Sequence, residues 1–183
     1  MGYAVGTADI VRLYGLQGVV LFPRDTHGDP AAELPSMRVL HEVGLPHDDL
    51  FLSRMDVKDP AQDSALLGEF LASVERPCPS GAEEWPVLGY FQDSLLAFDP
   101  VTGRVYAFPE GTGRHLCIHR NVESLIYSLC ALQEYTRERD SSEDEEALAL
   151  RTRARIEAFD RIPFEDPASE WNIIFGEIME GTW

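Results

Sequence analysis

The stretch that decides the fold is residues 85–132, which read WPVLGYFQDSLLAFDPVTGRVYAFPEGTGRHLCIHRNVESLIYSLCAL. Residues 87–91 and 94–98 are dense in aliphatic and aromatic side chains, and Asp93 is the one charged residue between 87 and 98. Such runs are typical of strands that are buried on both faces. Residues 105–108 continue the pattern, so the sequence predicts three neighbouring strands.

Turn and helix signals follow these strands. The sequence DPVTG at 99–103 predicts a tight turn, because Pro100 presets its own φ and Gly103 can adopt a positive φ. Asn121 is a favourable N-cap, and Glu123 lies in the first helical turn, where a negative charge complements the helix dipole. Apolar residues then recur at helical spacing, at Val122, Leu125, Ile126, Leu129 and Leu132. We therefore expect strand, turn, strand, loop and a long helix.

Outside this stretch, apolar spacing favours helices near both ends of the chain. Helices are predicted at residues 1–15, 37–43, 147–160 and from 166 onward; strands at 16–22 and 50–52; loops at 25–35 and 56–63. Residues 65–74 read as a short helix or a loop packed on the sheet. Because strands cluster in the middle and helices at both ends, we expect one α+β domain spanning residues 1–183.

The chain is strongly acidic, with 32 acidic and 15 basic residues and a net charge of -17. This balance disfavours binding to nucleic acid or to an anionic membrane, because both are polyanions. It favours a basic protein partner, or it serves solubility alone. The partner prediction is therefore a protein, with no nucleic acid and no membrane, and the oligomeric state stays open.

Features at the N-terminus and the cysteine count predict a cytoplasmic protein. The opening residues 1–9 lack the basic region and apolar core of a signal peptide, and no apolar run approaches a membrane span. The three cysteines, Cys78, Cys117 and Cys130, form no paired framework, which is typical of reduced thiols in the cytosol.

One local pattern resembles a metal site. His115, Cys117 and His119 alternate, so on a regular strand all three side chains would share one face. A tetrahedral site needs a fourth ligand, and no second Cys or His pair occurs elsewhere. The plainer interpretation is that Cys117 packs inward while the histidines lie at the sheet margin. The sequence thus predicts no metal and no cofactor.

Catalytic motifs are also missing from the sequence. Cys78 lacks the second cysteine that a zinc deaminase motif requires, and no Gly-x-Ser-x-Gly elbow occurs. Cys130 falls on or beside the apolar stripe of its helix, which favours packing over nucleophilic chemistry. We therefore expect a protein that is not an enzyme.

The distribution of acidic residues is the remaining functional signal. Many of the 32 acidic groups cannot find a basic partner among 15, so some form a negative surface, which speeds association with a basic partner. The alternative is a solvated face with no partner. Our candidate contact residues combine acidic pairs with a nearby tryptophan and a turn aspartate: Asp48, Asp49, Glu83, Glu84, Trp85 and Asp93.

Several motifs together resemble one known family. They are FDPVTGRVY at 98–106, NVESL at 121–125, ALQEY at 131–135, WNIIFGEI at 171–178 and GLP at 44–46. This set resembles the SUKH superfamily, the Smi/Knr-like immunity proteins of bacterial toxin systems, and its fourth subgroup in particular. The resemblance spans roughly residues 40–183. The chain departs from it at Ile126, where relatives often have Phe, and residues 1–40 match no part of the pattern.

The resemblance implies a twisted, mainly antiparallel sheet flanked by helices. It also implies an immunity protein that neutralises a cognate polymorphic toxin by occlusion. Such a toxin is often a nuclease or a nucleic-acid deaminase. Two alternatives stay open: a regulatory scaffold, as among eukaryotic relatives, and a ligand- or metal-binding domain that uses His115, Cys117 and His119.

Overall fold

A computed structural model describes residues 2–23, 34–54 and 66–183. The described residues form helices α1 (Thr7–Tyr14), α2 (Pro35–Glu42), α3 (Leu67–Ser73), α4 (Val122–Arg139), α5 (Glu145–Phe159) and α6 (Glu170–Glu180). They form strands β1 (Val19–Val20), β2 (Leu45–Pro46), β3 (Phe51–Ser53), β4 (Val87–Phe91), β5 (Ser94–Phe98), β6 (Val105–Pro109) and β7 (Leu116–His119). Short 3-10 turns occupy Leu16–Gly18 and Ile162–Phe164.

Strands β3 to β7 form a five-stranded sheet in which each strand pairs antiparallel with the next along the chain. The turn between β5 and β6 closes as the sequence predicts. The Asp99 side chain accepts a hydrogen bond from the Val101 amide at 2.8 Å, the Gly103 amide donates to the Asp99 carbonyl at 2.8 Å, and Gly103 has a φ of 77°. This turn fixes the register of β5 on β6.

Helix α4 lies at the centre of the layer that covers one face of the sheet. The Asn121 side chain accepts a hydrogen bond from the Ser124 amide at 2.9 Å, which confirms the predicted N-cap. Helix α1 packs against α4, and the Tyr14 hydroxyl donates to the Leu129 carbonyl at 2.8 Å. This helical side holds the main core, whose largest fully buried side chains include Trp171, Tyr135, Phe91, Phe98 and Phe175.

A smaller core lies on the opposite face of the sheet, which we call the second face. Helix α3 and the segment 74–86 cover it, and the buried side chains there are Leu67, Leu71, Ala82, Val87, Leu95, Ala97 and Phe108. The strands β4 to β6 are therefore covered on both sides, which explains why their sequences are almost continuously apolar.

The α+β prediction, with an antiparallel sheet and helices at both ends, is confirmed. The predicted strand at 16–22 is shorter than expected, because the 3-10 turn at Leu16–Gly18 intervenes and β1 keeps two residues. Residues 65–74 contain a helix rather than a loop, although residue 65 lies outside the described residues. Most of the predicted loop at 25–35 and all of the loop at 56–63 also lie outside them.

Across residues 2–23, 34–54 and 66–183, no helix combines the length and the apolar character that a membrane crossing requires.

Gly89 in β4 provides a test of this sheet. Its φ is 143°, and a Cβ there would meet the Leu52 carbonyl oxygen and lie 2.9 Å from the Arg54 amide nitrogen, both backbone atoms of the β3 region. We expect Gly89→Ala to lower the free energy of unfolding by about 1–3 kcal/mol, through backbone strain and displacement of β3. Urea titration followed by circular dichroism measures this.

Gly176→Ala is the matched control. Gly176 lies in α6 with no atom within 4 Å of an added Cβ, so the same substitution should be neutral or stabilise the helix by up to about 1 kcal/mol. Equal effects of the two substitutions would contradict this account of β4.

Candidate functional site

An aromatic group lies where β6 and β7 meet the second face of the sheet. The Trp85 and Tyr106 rings are 4.8 Å apart, and the His115 ring stacks on Phe108 at 5.6 Å with an angle of 19°. Trp85 and Tyr106 are half-buried and His115 is exposed. We call Trp85, Tyr106, Phe108 and His115 the aromatic shelf. Tyr106 and Phe108 alternate along β6 and so lie on one face of the sheet, whereas Trp85 precedes β4 and His115 precedes β7.

The segment beside the shelf is held rigidly by its backbone. The Leu67 amide donates to the Trp85 carbonyl at 2.8 Å, and the Gly68 amide donates to the Glu83 carbonyl at 2.9 Å. Ala82 is buried in the second core, whereas Glu83 and Glu84 are exposed. The Glu83 carboxylate accepts a hydrogen bond from the Gly81 amide at 2.8 Å. Two exposed acidic residues thus lie next to a half-buried tryptophan. Rigid support for such a group lowers the entropy that binding a partner would lose.

The other candidate acidic residues lie at a different end of the sheet. Asp48 accepts hydrogen bonds from the Leu50 and Phe51 amides at 3.0 and 2.8 Å, so its side chain organises the start of β3. Asp49 and Asp93 are exposed, and the Gln92 amide donates to the Leu50 carbonyl at 3.3 Å, which brings their two turns together.

The six candidate contact residues therefore form two groups. Strand β4, with its five residues, lies between Trp85 and Asp93. At about 3.3 Å per residue it separates the two groups by at least roughly 16 Å. Glu83, Glu84 and Trp85 adjoin the aromatic shelf, and Asp48, Asp49 and Asp93 lie beyond the far end of β4.

The expectation that His115, Cys117 and His119 share one face is wrong. Tyr106 pairs with Cys117, but the next β6 residue back, Val105, pairs with His119. The extra residue in β7 is a β-bulge, which reverses the side on which the following side chain lies. His115 is exposed beside Phe108, whereas His119 is fully buried against Trp171 on the helical side.

Neither a metal site nor an activated thiol is supported by the geometry. Within the described residues no three or more His, Cys, Asp or Glu side chains gather in a way that could hold a metal ion. Burial raises the pKa of Cys117, and it raises the pKa of Cys130 to about 12. Both thiols are therefore held in the protonated form, which is a poor nucleophile.

A buried hydrogen-bond network, which the sequence analysis did not predict, surrounds His119. Trp171 Nε1 lies 2.9 Å from His119 Nε2, and Ser124 Oγ lies 2.9 Å from His119 Nδ1. Because an indole N–H can only donate, Nε2 must accept, and the proton of the neutral ring is on Nδ1. His119 therefore donates to Ser124, and the Ser124 hydroxyl donates to Asp160 Oδ2. We call His119, Ser124, Asp160 and Trp171 the His119 network.

Charge in this network is arranged so that the histidine is neutral and the aspartate ionised. Burial lowers the pKa of His119, against the opposing effect of Asp160. Burial alone would raise the pKa of Asp160, but His119, Ser124 and the Arg120 amide, which donates at 2.8 Å, hold it well below its usual range. The Ile162 amide also donates to Asp160, at 3.1 Å. Asp160 is thus a buried carboxylate with its hydrogen bonds satisfied.

The His119 network contains the residue types of a hydrolase triad in an arrangement unsuited to catalysis. Ser124 lies between His119 and Asp160, so its proton goes to the carboxylate and not to the imidazole. A nucleophilic serine needs the imidazole as its base and access to substrate. Ser124 and His119 are both fully buried, and the other ring nitrogen of His119, Nε2, accepts the hydrogen bond from Trp171. The network joins β7, α4, the end of α5 and α6.

Comparison with known proteins adds one finding. A family model described as "SUKH-4 immunity protein" matches residues 5–177. It agrees with the subgroup that the sequence motifs resemble, and it extends the match into residues 5–40, where we expected none. No curated protein and no solved structure matches the chain significantly.

Ser124→Ala tests the His119 network. The substitution leaves Asp160 without one hydrogen bond and His119 Nδ1–H without its acceptor, so we expect the free energy of unfolding to fall by about 1–3 kcal/mol. Ser128→Ala is a matched control on the same helix, because Ser128 is equally buried and its hydroxyl has no hydrogen-bond partner among the described residues. That substitution should be neutral or slightly stabilising. Chemical denaturation measures the free energy of unfolding of both variants. An equal decrease in the two would contradict this account of the His119 network.

Proposed function

Since the chain belongs to the SUKH-4 immunity protein family, we propose that it binds a cognate bacterial toxin and neutralises it by occlusion. The observation that carries the proposal is the family match over residues 5–177. We further propose that the toxin acts on nucleic acid and is basic, and that inhibitor and toxin meet in the cytoplasm.

The buried chemistry supports binding rather than catalysis. The one serine, histidine and aspartate cluster described above faces the core, where no substrate can reach it. On the second face, in contrast, the exposed carboxylates of Glu83 and Glu84 lie beside half-buried aromatic rings. Carboxylates steer a basic partner, and aromatic anchors supply much of the energy in protein interfaces.

The net charge supports a basic partner. At -17, the chain repels other polyanions and attracts proteins with an excess of lysine and arginine. Proteins that act on nucleic acid present basic surfaces to phosphate groups. An acidic inhibitor that covers such a surface competes with the substrate for the same charges, which is why occlusion needs no reaction of its own.

We propose that the interface is centred on the aromatic shelf, with Glu83 and Glu84 as its charged rim. Trp85 is suited to the role of anchor because its ring already rests against Tyr106 at 4.8 Å, so little side-chain freedom is lost on binding. Asp49 and Asp93 belong to the other group and would contribute mainly to long-range attraction. Asp48 is committed to the backbone of β3.

Co-expression tests the function itself. The toxin domain encoded beside this gene should lose its toxicity when the two proteins are made together, and they should purify as a stoichiometric complex. Persistent toxicity and no complex with any neighbouring toxin would overturn the immunity role and favour the regulatory-scaffold alternative.

Charge reversal tests the interface. Glu83→Lys with Glu84→Lys changes the net charge by +4, from -17 to -13. We expect this double variant to weaken the toxin complex at least tenfold, about 1.4 kcal/mol, and to flatten the salt dependence of its affinity. Calorimetric titration at low and high salt measures both effects.

The matched control is Asp49→Lys with Asp93→Lys, which makes the same +4 change at exposed positions beyond the far end of β4. This variant should lower the association rate modestly and leave the dissociation rate unchanged. If the two double variants weakened binding equally, the effect would be one of total charge, and the placement of the interface on the aromatic shelf would be wrong.

A further inference from the structure

We propose that His119 is an acid-sensitive latch that holds the C-terminal helix α6 against the sheet. When the imidazole is neutral, its Nε2 accepts the hydrogen bond from Trp171. When the imidazole is protonated, Nε2 carries a hydrogen, two donors face each other at 2.9 Å, and the contact that fixes α6 is lost.

Trp171 is the residue that makes the latch specific to α6. It is fully buried in the first turn of that helix, and its ring lies 4.9 Å from Phe91 of β4 and 5.5 Å from His119. Its N–H donates to His119 Nε2. Displacing Trp171 therefore removes a large apolar contact together with the hydrogen bond.

The groups around His119 explain why a second proton is excluded. The end of α5 supplies Asp160, whose Oδ2 is 3.7 Å from Nδ1, and α4 supplies the Ser124 hydroxyl. On the Nδ1 side an imidazolium would therefore be well accommodated. On the Nε2 side it would face the Trp171 donor at 2.9 Å, so protonation and the docked position of α6 exclude each other.

Other charged or titratable groups near this site come from several elements. On the strand of His119 itself are Cys117, whose thiol is held protonated, and the neighbouring Arg120. Two charged groups have opposite effects on the pKa of Cys117: Arg104, just before β6, lowers it, and Glu165, after the second 3-10 turn, raises it. On α6 the residue before Trp171 is Glu170. Its carboxyl group accepts a hydrogen bond from the Ser94 hydroxyl of β5.

Two of these groups respond to pH in opposite senses. Because burial lowers the pKa of folded His119 below 6.5, the undocked state binds the proton first, and stability is lost as pH falls below 6.5. Burial raises the pKa of Glu170 above 4.5. The stability that protonated Glu170 contributes is therefore lost as pH rises through its pKa in the folded protein. A test of the latch must therefore vary His119 while Glu170 is retained.

Hydrogen exchange of the whole chain, followed by NMR at pH 7.5 and 5.0, makes the test. Relative to α4, the amide protection factors of α6 should fall by up to roughly 30-fold at pH 5.0, since one proton taken up from a pKa of 6.5 shifts the docking equilibrium tenfold per pH unit. In His119→Gln the side-chain oxygen can still accept from Trp171 but does not titrate, so the fall should disappear. Parallel loss of protection in α4 and α6, or an equal fall in the variant, would overturn the latch.

The tautomer offers a second test that needs no substitution. At pH 7.5 the ring-nitrogen chemical shifts of His119 should identify the Nδ1–H form, and the Trp171 indole proton should exchange slowly. At pH 5.0 the exchange of that indole proton should accelerate in step with the α6 amides. An Nε2–H tautomer at pH 7.5 would overturn the proposal, whether or not the Gln variant folds.

Discussion

The hydrogen bond from Trp171 to the buried imidazole of His119 is the constraint on which much of the helical side depends. It connects the last strand of the sheet to the last helix, and through Ser124 and Asp160 it reaches α4 and the end of α5. Buried polar groups destabilise a fold unless each finds its partner. Here the partners come from four elements that are distant in the chain, so the network is complete only when all four have docked.

A single extra residue in β7 allows this arrangement. The bulge between Val105 and Tyr106 on one strand and His119 and Cys117 on the other changes the side on which the following side chain lies. It therefore sends His119 to the helices, while Cys117 stays across from Tyr106. The same irregularity that builds the His119 network removes the three-residue metal pattern. It leaves His119 buried on the helical side, while His115, just before β7, stays exposed in the aromatic shelf.

Local rules were sufficient for the elements whose causes are local. The Asp99 to Gly103 turn and the Asn121 cap follow from side chains that bond their own neighbouring backbone, and the apolar runs follow from burial on both faces. The bulge, the His119 network and the separation of Trp85 from Asp93 could not be predicted in this way. They depend on pairing register and on contacts between residues 119, 124, 160 and 171, and no spacing in the sequence encodes such contacts.

The motifs that resemble the family and the proposed contact residues serve different parts of the structure. The motifs that resemble the family serve a turn, a helix cap and core packing, as at Gly103, Asn121 and Trp171. A substitution there disturbs backbone geometry or a buried contact. Glu83 and Glu84, in contrast, are exposed on a segment that is fixed by backbone hydrogen bonds and by buried Ala82. The Glu83 carboxylate also accepts a hydrogen bond from the Gly81 amide at 2.8 Å, so replacing it removes one turn contact. The backbone hydrogen bonds from Leu67 to Trp85 and from Gly68 to Glu83 do not depend on either side chain. Under the proposed function, a scaffold of this kind keeps one architecture while its charged rim varies. That would explain how the sequence can match the family model over residues 5–177 without identifying a toxin.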